Sequence, residues 1–199
     1  MAHSLSDFKS TLTGGGARAN LFQVTLTLPT IAGYTKPSEF DKNFSILCKS
    51  AALPASNIAN VDIPFRGRIF KVAGERTFDT WQITVINDTN FQIRTAMEEW
   101  MQLIGQYQDG SGVTTPTSYM QTAQVDQLTR KASDQGKTGT TGLSVAKSYT
   151  FYDIFPTNVS AIDLSYDTAD AIEEFTVEFQ VQYWAPNGKS NTSTTPTTP

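Results

Sequence analysis

A mainly β fold with one flanking helix is what this 199-residue sequence predicts, on three observations. Charged residues make up only 17% while Thr, Ser, Asn and Gln are plentiful, a balance that suits sheets with polar, uncharged faces. Apolar residues recur with a period of two, most clearly at Phe175, Val177, Phe179, Val181 and Tyr183. Only residues 87–106 carry a strong helical period. With 39% hydrophobic residues the chain can bury one sizeable core, so one globular domain with flanking arms is expected.

Taken in order, residues 1–19 are polar and include Gly14-Gly15-Gly16, which predicts a flexible arm. From Asn20 onward Phe22, Val24, Leu26 and Leu28 alternate with polar residues, marking a strand buried on one face and ended by Pro29. Residues 29–43 read as a long connection and 44–49 as a short apolar strand, broken by Ala51-Ala52-Leu53-Pro54-Ala55. Two extended pieces, 61–63 and 68–72, joined across Pro64 and Gly67, predict a projecting hairpin within 58–73. Phe78, Trp81, Ile83 and Val85 mark a strand over 76–86, with a bulge to explain the slip between Phe78 and Trp81.

The helix, about 89–106, sets Ile93, Ala96, Met97, Trp100 and Ile104 on one side, and Thr89 with Gln92 offers a capping box. Trp100 should anchor it on a sheet. Residues 105–118 read as a loop, 119–130 as a weakly alternating strand, and 131–144 as an unusually long loop. Val145, Tyr149, Phe151 and Phe155 alternate next, Ile162 and Leu164 follow, and 175–183 reads as one uninterrupted strand with Glu174, Thr176, Glu178, Gln180 and Gln182 on its polar side. The Asn/Ser/Thr/Pro-rich segment 185–199 is expected to be disordered, leaving 20–184 as the β domain.

The chemistry-bearing residues are sparse. A net charge of −4 offers no excess of cations for phosphates, so tight nucleic-acid binding is disfavoured. Cys48 is the sole cysteine, which excludes an internal disulfide and a cysteine-based zinc site and reads as a small buried apolar residue. His3 is the sole histidine and lies in the arm, which removes triads and multi-histidine metal sites. Gly136-Lys137-Thr138 imitates the end of a phosphate-binding loop, but Lys131 stands where that motif needs glycine. Glu98/Glu99 and Glu173/Glu174 are sequence neighbours whose side chains diverge on a helix or strand, so neither pair converges on one substrate atom. No catalytic residue, cofactor or metal is expected. Neither a signal peptide nor an apolar run of the roughly 20 residues that span a bilayer is visible, so a soluble chain is expected, and the four Asn-X-Ser/Thr matches read as chance.

The run Val72-Ala73-Gly74-Glu75-Arg76-Thr77-Phe78-Asp79-Thr80-Trp81, followed by Thr84-Val85-Ile86-Asn87-Asp88, resembles the central signature of the tail tube family of contractile-tailed bacteriophages. Asn20-Leu21-Phe22-Gln23-Val24, Cys48-Lys49-Ser50-Ala51-Ala52-Leu53-Pro54-Ala55, Pro156-Thr157-Asn158-Val159 and Tyr183-Trp184 continue the resemblance in order, over about 18–184. Residues 29–43, 131–144 and the tail after Trp184 depart from it.

The resemblance implies a β-sandwich or small barrel of two packed antiparallel sheets, related to the type VI secretion tube protein. It further implies hexameric rings stacked into a tube that conducts DNA from capsid to host, in a virion tail assembled in the host cytoplasm. The implied partners are further copies of the chain, sheath, baseplate, tail-terminator and tape-measure proteins, with DNA only as passing cargo. Arg68, Gly74, Glu75, Arg76 and Asp79 are then candidates for contacts between subunits and rings. Glu174, Glu178, Gln180 and Gln182 are candidates for the lumen, where an acidic or neutral lining lets phosphates slide. Phe22, Trp81, Trp100, Phe175 and Phe179 are the expected core anchors. Two alternatives stand beside this reading: a tube of an injection machine without a genome, distinguished by neighbouring capsid and portal genes, and a carbohydrate-binding sandwich, distinguished by glycan binding to the monomer.

Overall fold

Strands that are apolar on one face must share a core, and here they do so by bending one sheet around it. The computed structural model describes residues 4–12, 16–53, 55–129, 145–167 and 170–186. Strands β1 (Phe22–Leu26), β6 (Gln121–Leu128), β7 (Val145–Val159), β8 (Glu174–Gln180), β5 (Trp81–Ile86) and β2 (Cys48–Ala51) hydrogen-bond in that spatial order. All pairs are antiparallel, and β9 (Tyr183–Pro186) adds to β7. A separate two-stranded hairpin is made by β3 (Ser56–Phe65) and β4 (Arg68–Phe78).

The 15-residue β7 turns the corner. Its first part pairs with β6 and β9, its last part with β8. Between Phe151 and Ile154 it carries one residue more than β6 does between Ala123 and Gln121, and Asp153 sits there in the left-handed region (φ 54°). That bulge swings the strand from one sheet half to the other, as an extra residue does. The two halves meet across the core, where the Trp81 ring of β5 stacks on Phe151 of β7 at 4.7 Å. The sheet does not close into a barrel, because β1 and β2 remain the two ends of the strand order.

Helices α2 (Phe40–Leu47) and α3 (Gln92–Ile104) share this core through Phe40, Phe44, Ile93, Ala96, Met97 and Trp100. They therefore cover the apolar face of the sheet. Trp81, Trp100, Phe175 and Phe179 are fully buried, while Phe22 at the sheet edge is half-buried. Trp100 also donates its Nε1–H to the Tyr119 carbonyl at 2.8 Å, which ties α3 to the short helix α4 (Pro116–Tyr119).

Several local expectations change. The strand expected over 44–49 is the end of α2 followed by β2, because Phe40, Phe44 and Leu47 recur at helical spacing and a short apolar run fits either period. The helix therefore begins inside the connection expected at 29–43. The strand expected over 76–86 is two strands: β4 ends at Phe78 and β5 starts at Trp81, so the slip marks the chain leaving the hairpin for the main sheet, not a bulge. The Thr89/Gln92 capping box is absent. Phe91 is the N-cap in the left-handed region (φ 52°), and the Asp88 carboxylate accepts from Gln92 N at 3.0 Å instead.

The uninterrupted strand over 175–183 breaks after Gln180 and resumes at Tyr183, where the chain passes from pairing with β5 and the last part of β7 to pairing with the first part of β7. The alternation survives that bend because both halves point inward to one core, and Val181 is buried within it. Ile162 and Leu164 lie in no strand, and Leu164 is 79% exposed. In the N-terminal arm, α1 (Leu5–Thr11) forms behind a Ser4/Asp7 capping box and buries no residue. β9 runs on through Ala185 to Pro186. The 131–144 loop, Pro54 and 187–199 lie outside the described residues.

Candidate assembly surfaces

The hairpin is built to stand away from the domain. Its tip, Arg66 and Gly67, has positive φ at both residues (46° and 81°), the two-residue turn that matches strand twist. From Asn57 to Thr77 every residue on both faces is exposed except Gly74, which is half-buried. The register Val61↔Val72, Ile63↔Phe70 and Phe65↔Arg68 gathers five apolar side chains on one face, where Phe65 and Phe70 are 64% and 65% exposed. The other face carries Asp62↔Lys71, joined by a 3.1 Å ion pair, and Pro64↔Ile69. Strand alternation thus yields an amphipathic ribbon whose apolar side stays exposed among the described residues.

The root of the ribbon explains the signature residues. Between Ile58↔Arg76 and Asn60↔Ala73 the return strand carries one extra residue, a bulge at Gly74 and Glu75. A Cβ on Gly74 would stand 3.1 Å from the Ala59 carbonyl oxygen and 3.3 Å from Val61 Cγ2, so the close approach favours glycine. Phe78 packs edge-on against Trp184, and the Asp79 carboxylate accepts from Asn57 Nδ2 at 3.0 Å, fixing the base of the hairpin. Gly74, Glu75, Arg76 and Asp79 therefore sit together at the root, while Arg68 stands at the tip, eight residues and roughly 26 Å away along the strand. Arg68, Glu75 and Arg76 are exposed and make no ion pair among the described residues. The apolar row Val61, Ile63, Phe65, Phe70 and Val72 was not among the contact candidates read from the sequence, because a search for charged contacts passes over it.

The second surface is the polar face of the β7–β8–β5–β2 half, where Glu174 is exposed and Thr176, Glu178 and Gln180 are half-buried. Glu174, Thr176, Glu178 and Gln180 alternate outward from β8, beside Gln82 and Thr84 of β5 and Asn158 of β7. Lys49 donates to both Glu174 carboxylate oxygens at 2.6 and 2.8 Å, which neutralises one of the two acids. Gln182 is exposed but lies in the bend after β8, off the row formed by the other three.

No chemical centre accompanies these surfaces among the described residues. No group of three His, Cys, Asp or Glu is placed to hold a metal, and no helix is long and apolar enough to cross a membrane. Burial pushes the Cys48 thiol up to about 12, which makes it inert. Tyr34 is raised too, first by desolvation and then by the charge of Glu99. His3 and the Gly136-Lys137-Thr138 run lie outside the described residues.

The sequence profile described as phage tail tube protein matches residues 17–187. The tail tube protein gp19 of Enterobacteria phage T4 is 32% identical over 173 residues, covering 86% of this chain and 93% of that protein. The tail tube protein of Serratia phage KSP90 is 22% identical over 179 residues, covering 89% and 93%. Among solved structures, a chain of the anti-feeding prophage tube-terminating cap superposes with a TM-score of 0.56 at 16% identity, covering 86% of this chain and 90% of its own. A chain of the extended sheath–tube complex of an extracellular contractile injection system gives 0.50 at 13% identity, covering 93% and 98%. At these identities the structural likeness speaks to fold, and it is the sequence match over most of the length that places the chain in the phage tail tube protein family.

Proposed function

We propose that copies of this chain form hexameric rings that stack into the tube of a contractile phage tail, a passive conduit for DNA. The observation that carries the reading is the projecting hairpin, whose five-residue apolar face stays exposed among the described residues. A single copy leaves that surface in water, whereas a head-to-tail contact between identical copies buries it and repeats without limit along an axis. The free edges of β1 and β2 supply unpaired backbone groups that a lateral neighbour can satisfy within a ring.

The outward row of Glu174, Glu178 and Gln180 fits the lumen, with Gln182 at its margin. The row adds no cation beyond Lys49, which Glu174 already pairs, so passing phosphates find nothing to hold them. Arg68 at the hairpin tip, and Gly74, Glu75, Arg76 and Asp79 at its root, belong to the stacking contact in this reading. Sheath, baseplate, terminator and tape-measure proteins are its partners, assembly takes place in the host cytoplasm, and the role is structural, without a catalytic step. Electron microscopy of the purified chain, and of tails that contain it, tests this: tubes with six-fold end views are expected, and a protein that stays monomeric in both settings refutes it.

A further inference from the structure

If the hairpin is the stacking element, as the proposed function holds, it needs a matching acceptor on the next copy. The geometry points to the connection between β7 and β8, described at 160–167 and 170–173, as that acceptor. Register places the two features at opposite ends of the same strands. Trp81, where the chain enters β5 from the hairpin, faces Phe179 near the end of β8; Ile86, at the other end of β5, faces Glu174 at the start of β8. The β7–β8 connection therefore lies about five residues, roughly 17 Å, along the strands from the hairpin root. A donor at one end and an acceptor at the other is the arrangement that a head-to-tail filament requires.

The two surfaces also match in chemistry. The hairpin carries Arg66, Arg68, Lys71 and Arg76 against Asp62 and Glu75, four cations to two carboxylates, for a net charge of +2. The acceptor segment carries Asp163, Asp167, Asp170 and Glu173 and no Lys or Arg, a net charge of −4. Among the described residues no ion pair reaches Asp163, Asp167 or Asp170. Between these acids Leu164, Tyr166 and Ile172 are exposed at 79%, 106% and 73%, and Asp163, Leu164, Tyr166 and Glu173 line an open cleft of about 430 Å³. Apolar side chains held in water beside unpaired acids are the complement of an apolar ribbon tipped with arginines. The hairpin is also long enough: ten residues of β3 extend about 30 Å, well beyond the reach of the strands it springs from.

Charge reversal and its rescue provide the test, on the full chain. Arg66→Glu with Arg68→Glu, and separately Asp163→Arg with Asp167→Arg, are each expected to cut sedimentable tube by about tenfold or more while the circular dichroism of the monomer is kept. Combining all four changes should restore tubes. A second arm mixes Phe65→Cys chains with Tyr166→Cys chains and adds a short bis-maleimide; Cys48 is buried and does not compete. Linked pairs that contain one chain of each kind, found only in the tube fraction, are expected. If hairpin reversal blocks assembly but acid reversal leaves it intact, the acceptor lies elsewhere while the stacking role of the hairpin stands. Failure of the four-fold variant to recover, together with absence of mixed cross-links, also overturns the acceptor. Tubes unaffected by either reversal remove both the acceptor and the hairpin contact.

Discussion

At the scale of single residues, the aromatic side chains do most of the structural work. Trp81, Phe151, Phe179 and Trp100 form a chain of ring contacts through the core, with centroids 4.7, 5.3 and 6.0 Å apart at successive links involving Trp81 and Phe179. Trp100→Ala is therefore expected to lower the unfolding free energy by about 3–5 kcal/mol, read from urea titration; a loss below about 1 kcal/mol would show that the site repacks. These anchors were legible in the sequence, since a large aromatic on the apolar side of an alternation has little choice but to go inside. Cys48 was legible in the same way. The native thiol should resist a thiol reagent at pH 8 and react only on unfolding, because burial holds it protonated below its raised pKa of about 12. The partner of Asp79 was not legible. Asn57, 22 positions away, holds the carboxylate, because the antiparallel hairpin brings its two roots together.

Elements were read less evenly than residues. The hairpin was foreseen within 58–73 from two extended pieces joined across Pro64 and Gly67, though it runs from Ser56 to Phe78, and α3 was foreseen from its period, although α3 begins at Gln92 and is capped from Asp88. Asp88→Ala should cost about 0.5–2 kcal/mol of stability while Thr89→Ala costs little, a contrast that denaturation of the two variants measures directly. Helix α2 was misread as strand because only Phe40, outside the apolar run, reveals its i, i+4 spacing with Phe44. For the hairpin, Ile63→Asp with Phe70→Asp places two charges on its apolar face and touches no buried residue. That variant should fold with an unchanged thermal midpoint yet form no sedimentable tubes; tubes at the normal yield would mean the apolar face is not an interface.

For the whole molecule, the decisive feature is a sheet with every large helix on one side. The β7 bulge bends it and α2 and α3 fill the concave apolar face, and in the proposed tube the polar face lines something else. If that something is a DNA channel, phage carrying Glu178→Lys and Gln180→Lys should build tails of normal length but eject DNA more slowly at low salt, with the defect relieved as salt rises. Ejection at the parental rate across all salt concentrations would move the lining to another face. By itself the sequence determined the local periods, the buried aromatics, the poverty of catalytic groups and the family signature, because each of these is a property of residues near one another in the chain. Only the tertiary structure decided that 175–183 serves two sheet halves, that the signature turn is the root of a ribbon, and that this ribbon and the acidic β7–β8 connection, described at 160–167 and 170–173, occupy opposite ends of the same strands. A period of two is the same whichever strand lies alongside, so partner choice, and with it the polarity of the molecule, is fixed by long-range register rather than by any local pattern.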